Sequence, residues 1–247
     1  MKHPIVVGLQ YGDEGKGKIT DTLAGEADWV LRFNGGNNAG HTLWLNGKKV
    51  VTHSVPSGVM YDRAKNYIGS GCVVDPVALK KELGEIEEAG RKIDSERLKI
   101  DHRAHLIFPI HRDLDAAREK TPLGIGTTKR GIGPTYATKA DRLGLRAAEL
   151  FCEDAPLKLK TLCEIYNPFL RAAGLPESSI EDNLKVLSDA QGWMKPYVCM
   201  DVTPFYEVAQ KQKCVMEGAQ AVMLDLDHGR YPFVTSSNTL AAFASIG

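Results

Sequence analysis

The sequence has 247 residues, enough for one large α/β domain with a sizeable core, and its composition is that of a soluble globular protein, with 43% hydrophobic residues. Its 31 basic and 31 acidic residues balance, so charge gives no reason to expect a nucleic acid or an anionic membrane as a partner. No apolar run reaches the roughly 18 residues that span a bilayer. Five cysteines at scattered spacings form no metal-binding pattern. We therefore expect a cytoplasmic protein with reduced thiols.

The first part of the chain alternates between predicted strands and a helix. Residues 5–9 form a short apolar run that predicts a buried parallel strand, and residues 29–33 predict a second strand after a glycine-rich loop and a helix. Residues 42–45 and 49–53 flank Asn46-Gly47, a pair typical of a β-hairpin because both residues tolerate positive φ.

The middle of the chain continues the alternation. Strands are predicted at 67–69, 72–74, 98–100 and 106–109, and helices from Pro76 to about Gly90 and from about 112 to 120. The stretch 124–142 holds four glycines and shows no periodicity, which predicts a long functional loop.

The last part combines helices with a final strand. Residues 156–196 predict two amphipathic helices broken near residues 174–176, as a helical insertion, and 214–216 predict a final buried strand followed by an irregular polar segment to Asn238. Together the elements predict a single α/β domain over residues 1–247, with a mostly parallel central sheet, surrounding helices and a P-loop-like nucleotide-binding architecture. Ligands of such sheets bind beyond the carboxyl ends of the strands, and we expect each polar loop to begin just after a strand and to meet the others there.

The first loop, Gly12-Asp13-Glu14-Gly15-Lys16-Gly17-Lys18, follows the first predicted strand. Its spacing matches a P-loop, in which glycine N–H groups, a helix N-terminus and a lysine surround phosphate oxygens. Ile19 stands where a P-loop has Ser or Thr, so the hydroxyl ligand for magnesium is missing. The negative charge of Asp13 would repel a phosphate, so its presence in the loop favours a role in metal coordination, in proton abstraction, or in both.

The second loop, residues 34–42, follows the second predicted strand and contains three Asn, three Gly and His41. Amide groups and exposed backbone can hydrogen-bond a ligand, and an imidazole can stabilise a moving phosphoryl group. We therefore take Asp13 and His41 as candidate catalytic residues.

These two loops closely resemble signature segments of the adenylosuccinate synthetase family. The first match is residues 10–18 and the second is residues 35–42. Two further matches follow in order, Gly126-Thr127-Thr128-Lys129-Arg130-Gly131-Ile132-Gly133-Pro134 and Glu217-Gly218-Ala219-Gln220 running to residues 235–239.

The resemblance implies a ligase that forms adenylosuccinate from IMP and L-aspartate while GTP is hydrolysed to GDP and phosphate. Asp13 would take the N1 proton of IMP, and His41 would stabilise transfer of the γ-phosphate to the 6-oxygen, giving a 6-phosphoryl intermediate. Asp13 and the Gly40 carbonyl would hold Mg²⁺. The implied GTP contacts are Gly12, Asp13, Glu14, Gly15, Lys16, Gly17, Lys18, Gly40, His41 and Thr42.

The resemblance also implies an IMP site and a homodimer, in which Arg142, within Lys139-Ala140-Asp141-Arg142, reaches the partner subunit's IMP. The implied IMP contacts are Asp13, Glu14, Gly15, Lys16, Asn38, Ala39, Gly40, His41, Thr128, Arg142, Gln220 and Thr235.

The family pattern continues beyond residue 247, where it supplies an aspartate-binding arginine loop and a guanine-recognition motif. We therefore expect the 247-residue chain by itself to be severely impaired in catalysis. Three alternatives stay open: another P-loop phosphotransferase, a non-enzymatic or inactive IMP-binding fragment, and a related viral branch that uses dGMP. Ile19 counts against the first, the presence of both Asp13 and His41 counts against the second, and the Asp13 carboxylate favours IMP over the third.

Overall fold

The computed structural model describes residues 3–45, 47–203, 207 and 210–247. Its strands are β1 (Ile5–Gly8), β2 (Trp29–Arg32), β3 (His41–Leu45), β4 (Lys48–Thr52), β5 (Lys65–Ile68), β6 (Val73–Val74), β7 (Leu98–Asp101), β8 (His105–Leu106), β9 (Val198–Cys199) and β10 (Cys214–Ala221). Its α-helices are α1 (Lys16–Ala24), α2 (Pro76–Glu88), α3 (Pro109–Glu119), α4 (Ile132–Ala140), α5 (Ala155–Ala172) and α6 (Ile180–Met194). Short 3₁₀ helices cover Ser57–Met60, Ala147–Phe151, Val222–Leu224 and Ala241–Ser245.

The central sheet has six strands in the order β1-β10-β2-β5-β7-β9, and every neighbouring pair is parallel. The prediction of a mostly parallel α/β sheet with surrounding helices is confirmed. Because β10 lies between β1 and β2, the carboxyl ends of these three strands lie side by side. The loops that follow β1 and β2 therefore leave the same edge of the sheet on either side of β10.

The predicted hairpin is present: β3 and β4 pair antiparallel from His41 opposite Thr52 to Leu45 opposite Lys48. Gly47 has φ 78°, the positive value that its turn position requires, and Asn46 lies outside the described residues. The main core lies between the sheet and the helices and includes Leu79, Ile100 and Phe108, all fully buried. The hairpin joins this core through Leu45 and Val50.

Two sequence predictions about irregular segments were wrong. Residues 124–142 contain α4, a nine-residue helix. It begins after Gly131, whose φ of 77° turns the chain, and the Thr135 hydroxyl donates to the Gly131 carbonyl at 2.7 Å. A helix this short, whose buried face is formed by Ile132, Pro134, Thr135 and Thr138, has too few apolar positions to give a periodic signal in the sequence.

The final strand is longer than predicted, because β10 runs through Ala221 and contains the Glu217–Gln220 segment instead of preceding it. Glycine and glutamine weaken the strand pattern in the sequence. Burial between β1 and β2 on both sides fixes the extended conformation.

Helices α5 and α6 lie where two amphipathic helices were predicted, and they are separated by residues 173–179. Gly174 in this connection has positive φ, and the Ser179 hydroxyl caps α6 by accepting from the Asp182 N–H at 3.1 Å. Helix α3 begins at Pro109, three residues earlier than the predicted start at 112, because proline is favoured in the first turn of a helix.

Candidate functional site

A cavity of about 470 Å³ opens beyond the carboxyl ends of β1, β10 and β2. Nine of the site residues predicted from the sequence line it: Gly12, Asp13, Asn38, Ala39, Gly40, His41, Thr128, Gln220 and Thr235. The two candidate catalytic residues thus face one cavity although they come from different loops. The two loops form two walls of the cavity, residues 125–128 form a third wall, and residues 233–236 form the fourth.

Asp13, Glu14 and Lys18 of the first loop are exposed, and the loop is hydrogen-bonded mainly to itself. The Glu14 carboxylate accepts from the backbone N–H groups of Gln10 at 2.7 Å and Gly12 at 3.1 Å. The Lys16 ammonium, which is buried, donates to the Gly12 carbonyl at 2.9 Å. The loop's backbone therefore already surrounds a negatively charged group, its own Glu14.

The electrostatics of the first loop agree with this geometry. Desolvation would raise the pKa of Glu14, but the surrounding backbone N–H groups and Lys16 outweigh it and lower that pKa. Burial lowers the pKa of Lys16, against the opposing effect of Glu14. N–H groups that stabilise a carboxylate in this way can equally stabilise a phosphate oxygen.

Residues 34–37 of the second loop are buried and hydrogen-bond to neighbouring elements. The Asn34 side chain accepts from the Ala219 N–H at 3.0 Å, and Gly35 donates its N–H to the Tyr136 hydroxyl at 3.0 Å. The Gln220 amide donates to Asn38 Oδ1 at 3.1 Å. Hydrogen bonds from β10 and α4 thus hold this loop in place.

His41 is 7% exposed and lies at the end of the second loop, where β3 begins. Its Nδ1 lies 2.7 Å from Oε1 of Glu217, a fully buried carboxylate on β10, and 3.3 Å from the Ser57 hydroxyl. Burial would raise the pKa of Glu217, but His41, Arg32 and the Ser57 N–H outweigh it and lower that pKa to about 2. The imidazole therefore stands between a buried negative charge and the cavity.

The loop between α3 and α4, residues 120–131, carries Thr128 and is held by two carboxylates of α3. Asp115 accepts from the Thr127 hydroxyl and from the Gly131 N–H, both at 2.9 Å. Glu119, one turn later, accepts from the N–H groups of Ile125 at 3.0 Å and Gly126 at 2.9 Å. This loop follows a helix, so the prediction that each polar loop begins just after a strand was wrong here.

The segment 225–239 completes the cavity and is folded around a buried carboxylate. Asp225 accepts from the backbone N–H groups of Asp227 and His228 at 3.0 Å, and the Thr235 N–H donates to the Leu224 carbonyl at 2.8 Å. These contacts fix the position of Thr235 on the cavity wall.

Seven predicted site residues do not line the cavity: Glu14, Gly15, Lys16, Gly17, Lys18, Thr42 and Arg142. Gly15 and Gly17 lie in the turn at the start of α1, and a Cβ on Gly17 would come within 3.3 Å of the His41 ring. Arg142 follows α4, is exposed and has φ 63°. Its expected reach into a partner subunit stays a prediction.

Sequence reasoning missed the roles of Asp115 and Glu217. Glu217 opens the Glu217–Gln220 motif, and its place on a strand flanked by two parallel strands predicts burial, which is unusual for a carboxylate. Asp115 carries no such signal, because its partners lie 12 and 16 residues further along the chain.

The fold and the site define a class of protein: a parallel α/β protein with a glycine-rich loop between its first strand and first helix. Beside that loop lies a polar cavity lined by two carboxylates, Asp13 and Asp115, and by the imidazole of His41. The sequence profile of the adenylosuccinate synthetase family matches residues 5–247. The chain therefore belongs to the adenylosuccinate synthetase family.

Relatives confirm this membership. The chain is 46% identical to the adenylosuccinate synthetase of Shewanella denitrificans over 255 aligned positions and 43% identical to that of Clostridium novyi over 247. It aligns over 100% and 98% of its own length, respectively, and over 58% of each relative. The chain thus spans a little over half the length of the curated relatives that it matches.

Solved structures agree with the fold. The fully ligated adenylosuccinate synthetase of Plasmodium falciparum superposes with a TM-score of 0.86 at 36% identity, over all of this chain and 58% of that one. A succinoaminodeoxyadenylate synthetase of cyanophage S-2L, bound to dGMP and dATP, superposes with a TM-score of 0.69 at 22% identity, over 99% of this chain and 59% of that one, a likeness of fold. Among the described residues, no helix is long and apolar enough to cross a membrane.

Proposed function

We propose that this chain carries the phosphoryl-transfer centre of a ligase that joins IMP to L-aspartate and hydrolyses GTP to GDP and phosphate. The observation that carries the proposal is that Asp13 and His41, from loops after β1 and β2, line one cavity whose remaining walls are rich in uncharged hydrogen-bonding groups. Family membership supports the same chemistry.

In the first step the Asp13 carboxylate accepts the N1 proton of IMP, which makes the 6-oxygen nucleophilic. That oxygen forms a bond to the γ-phosphorus of GTP as the bond from this phosphorus to the β,γ-bridging oxygen breaks, and GDP leaves. In the second step the aspartate amine attacks C6 of the 6-phosphoryl intermediate. Phosphate departs with the C6–O bond electrons, and the amine loses a proton.

His41 stabilises the phosphoryl group during the first step. A donor fixed before the reaction lowers the barrier because it needs no reorganisation as charge develops, and removal of one such donor typically costs about 10²–10³-fold in rate. The ring is held by Glu217 and Ser57 on its Nδ1 side.

The cavity walls suit a neutral purine base and its sugar phosphate. Asn38, Thr128, Gln220 and Thr235 supply hydroxyl and amide groups, with Ala39 and Gly40 supplying backbone. The first loop, from Gly12 to Lys18, together with Thr42, would receive the phosphates of GTP once the Glu14 carboxylate leaves its N–H groups.

The residues present fit a magnesium ion. The Asp13 carboxylate and the Gly40 carbonyl both line the cavity, and Mg²⁺ prefers one or two such oxygens together with phosphate oxygens and water. Among the described residues, no cluster of three or more His, Cys, Asp or Glu side chains forms an all-protein metal site. Bound there, the ion would neutralise phosphate charge. Magnesium, the cytoplasmic location and the homodimer with Arg142 are predictions from the sequence.

Titration calorimetry of the chain with IMP, and separately with GTP plus Mg²⁺, tests the proposal. We expect IMP to bind the wild-type chain and to bind Asp13→Ala more weakly, because the variant lacks the N1 partner. Turnover of IMP, GTP and aspartate by the same sample would establish the ligase. Binding of IMP without turnover favours the alternative of a nucleotide-binding chain without activity, and absence of binding to either nucleotide contradicts the proposal.

A further inference from the structure

Glu217 has an unusual environment for a carboxylate. It is fully buried on β10, the strand between the two loops, and it faces both His41 and Arg32. Its Oε2 accepts from the Ser57 N–H at 2.9 Å, and its Oε1 lies 2.7 Å from Nδ1 of His41 and 4.0 Å from the Arg32 guanidinium. The contact with His41 is close but bent, so that Oε1 has no well-aligned hydrogen bond.

Burial strongly destabilises a carboxylate unless positively charged or N–H groups surround it, so the neighbours of Glu217 must compensate for its lost hydration. Arg32 only partly compensates Glu217, because its Nε and one terminal nitrogen are buried without hydrogen bonds, while another donates to the His53 carbonyl. The closest positively polarised partner of Glu217 is therefore the imidazole of His41.

The distance between the two groups fixes the proton on the ring. A carboxylate at pH 7 only accepts hydrogen bonds, and an unprotonated Nδ1 would place its lone pair against Oε1 at 2.7 Å. A hydrogen on Nδ1 removes this repulsion, and the Ser57 hydroxyl at 3.3 Å can accept from the same N–H. Among the described residues, Nε2 has no hydrogen-bond partner, and the ring borders the cavity.

We propose that Glu217 is a positioning residue for His41: its carboxylate keeps a proton on Nδ1, holds the ring by that side and leaves Nε2 facing the cavity. The consequence for catalysis rests on the proposed function, in which Nε2 of His41 faces the moving phosphoryl group. A ring that is held on its Nδ1 side presents Nε2 to that group in one fixed orientation before the ligand arrives.

Glu217→Gln tests the proposal sharply. The Ser57 N–H still needs an acceptor, so it takes the single amide oxygen and leaves the amide N–H₂ facing His41. An N–H₂ group favours an unprotonated Nδ1, so Nδ1 should lose its hydrogen in this variant. Asp101→Asn is the matched control, because Asp101 is also a buried, paired carboxylate of the same sheet but contacts Tyr67 and Arg103 instead of the cavity.

The readout is the ¹⁵N resonances of the His41 ring in the full chain without ligand. We expect a protonated Nδ1 in the wild type and in Asp101→Asn, and a shift of Nδ1 toward the unprotonated position in Glu217→Gln. An unprotonated Nδ1 in the wild type overturns the proposal, and this result needs no variant to fold. A Glu217→Gln spectrum identical to the wild type, in a folded sample, overturns it as well.

Steady-state kinetics separate this inference from the proposed function. Glu217→Gln should lower kcat about 10–100-fold and change KM for IMP and GTP by less than about threefold, whereas Asp101→Asn should change neither. An active wild type whose kcat is insensitive to Glu217→Gln contradicts the positioning role alone. A wild type that neither turns over nor binds IMP or GTP contradicts the proposed function, and the ring spectra then decide the positioning role by themselves.

Discussion

The two loops that border the cavity differ in how they are held. Asp13 and Lys18 of the first loop are exposed, and its hydrogen bonds are mostly local, from Glu14 and Lys16 to its own backbone. Residues 34–37 of the second loop are buried and hydrogen-bond to β10 and α4.

This difference indicates that the two loops have different roles in ligand binding. A loop whose contacts are local and exposed can rearrange at little cost, as the first loop must do when a phosphate replaces Glu14. A loop fixed by the sheet can hold His41 in place before the ligand arrives, which is what electrostatic stabilisation requires. The first loop adapts, and the second loop is preorganised.

The largest effect is expected at Asp13, because the first loop contributes the proton acceptor. Asp13→Asn should lower turnover about 10²–10⁴-fold, the range that general base catalysis contributes. The thermal stability of the protein should change little, because the Asp13 side chain is exposed. Phosphate release that depends on IMP, GTP and aspartate measures it. Asp182→Asn, an exposed substitution on α6 away from the cavity, serves as the control. Equal activity of Asp13→Asn and wild type would show that Asp13 is not the proton acceptor.

The next largest effect is expected from alanine substitutions at two glycines of similar φ, one in each loop, which should differ in how much they destabilise the protein. Gly35 and Gly15 both have positive φ, 79° and 85°, so both lose roughly 1 kcal/mol of conformational free energy as alanine. A Cβ on Gly35 would lie 2.6 Å from the Ala219 Cβ, whereas one on Gly15 meets nothing within 4 Å. Gly35→Ala should therefore lose about 1–3 kcal/mol more in free energy of unfolding.

Urea denaturation of both glycine variants measures this difference. Equal destabilisation would show that the second loop is not held more tightly than the first, and the contrast between the loops would fail.

The smallest effect per pH unit concerns helices α3 and α4, whose connecting loop carries Thr128. Burial lowers the pKa of His111 to about 3, and its Nδ1 accepts from the Phe108 N–H at 2.9 Å. The ordinary pKa of histidine is 6.5, so between pH 6.5 and about 3 His111 is protonated in the unfolded chain but neutral in the folded one. The contribution of neutral His111 to the free energy of unfolding is therefore complete above pH 6.5 and declines as the pH falls. The expected slope is about 1.4 kcal/mol per pH unit for this group, and His105, whose pKa burial lowers to about 4, adds to it.

The pH dependence of urea unfolding, compared between wild type and His111→Gln, checks this prediction. Glutamine can accept from the Phe108 N–H without titrating, so the variant should show a shallower decline below pH 6.5. Identical slopes would mean that His111 is not kept neutral by burial.

Periodic segments of the sequence predicted the fold well. The apolar run of β1, the hairpin around Gly47 and the helices α2, α5 and α6 follow from patterns that local physics sets. Helix α4 and the full length of β10 could not be predicted in this way. Their conformations depend on burial between distant elements, which a short or glycine-containing segment does not display.

The candidate site shows the same limit. The glycine spacing of the first loop and the Asn/Gly content of the second pointed to Asp13 and His41, and both line the cavity. The contact of Glu217 with His41 spans 176 positions in the chain, and the position of β10 between β1 and β2 creates it. The contact between Glu217 and His41 can be predicted only when the order of the strands in the sheet is known.

The most direct test of the central claim, that both loops contact one phosphorylated ligand, is an NMR titration of the chain with GTP plus Mg²⁺. It follows the amides of Gly15 and Gly17 together with the ring of His41. The account predicts that resonances of both loops shift with a single common Kd. Saturation of one loop while the other stays unchanged, or two clearly different Kd values, would contradict it.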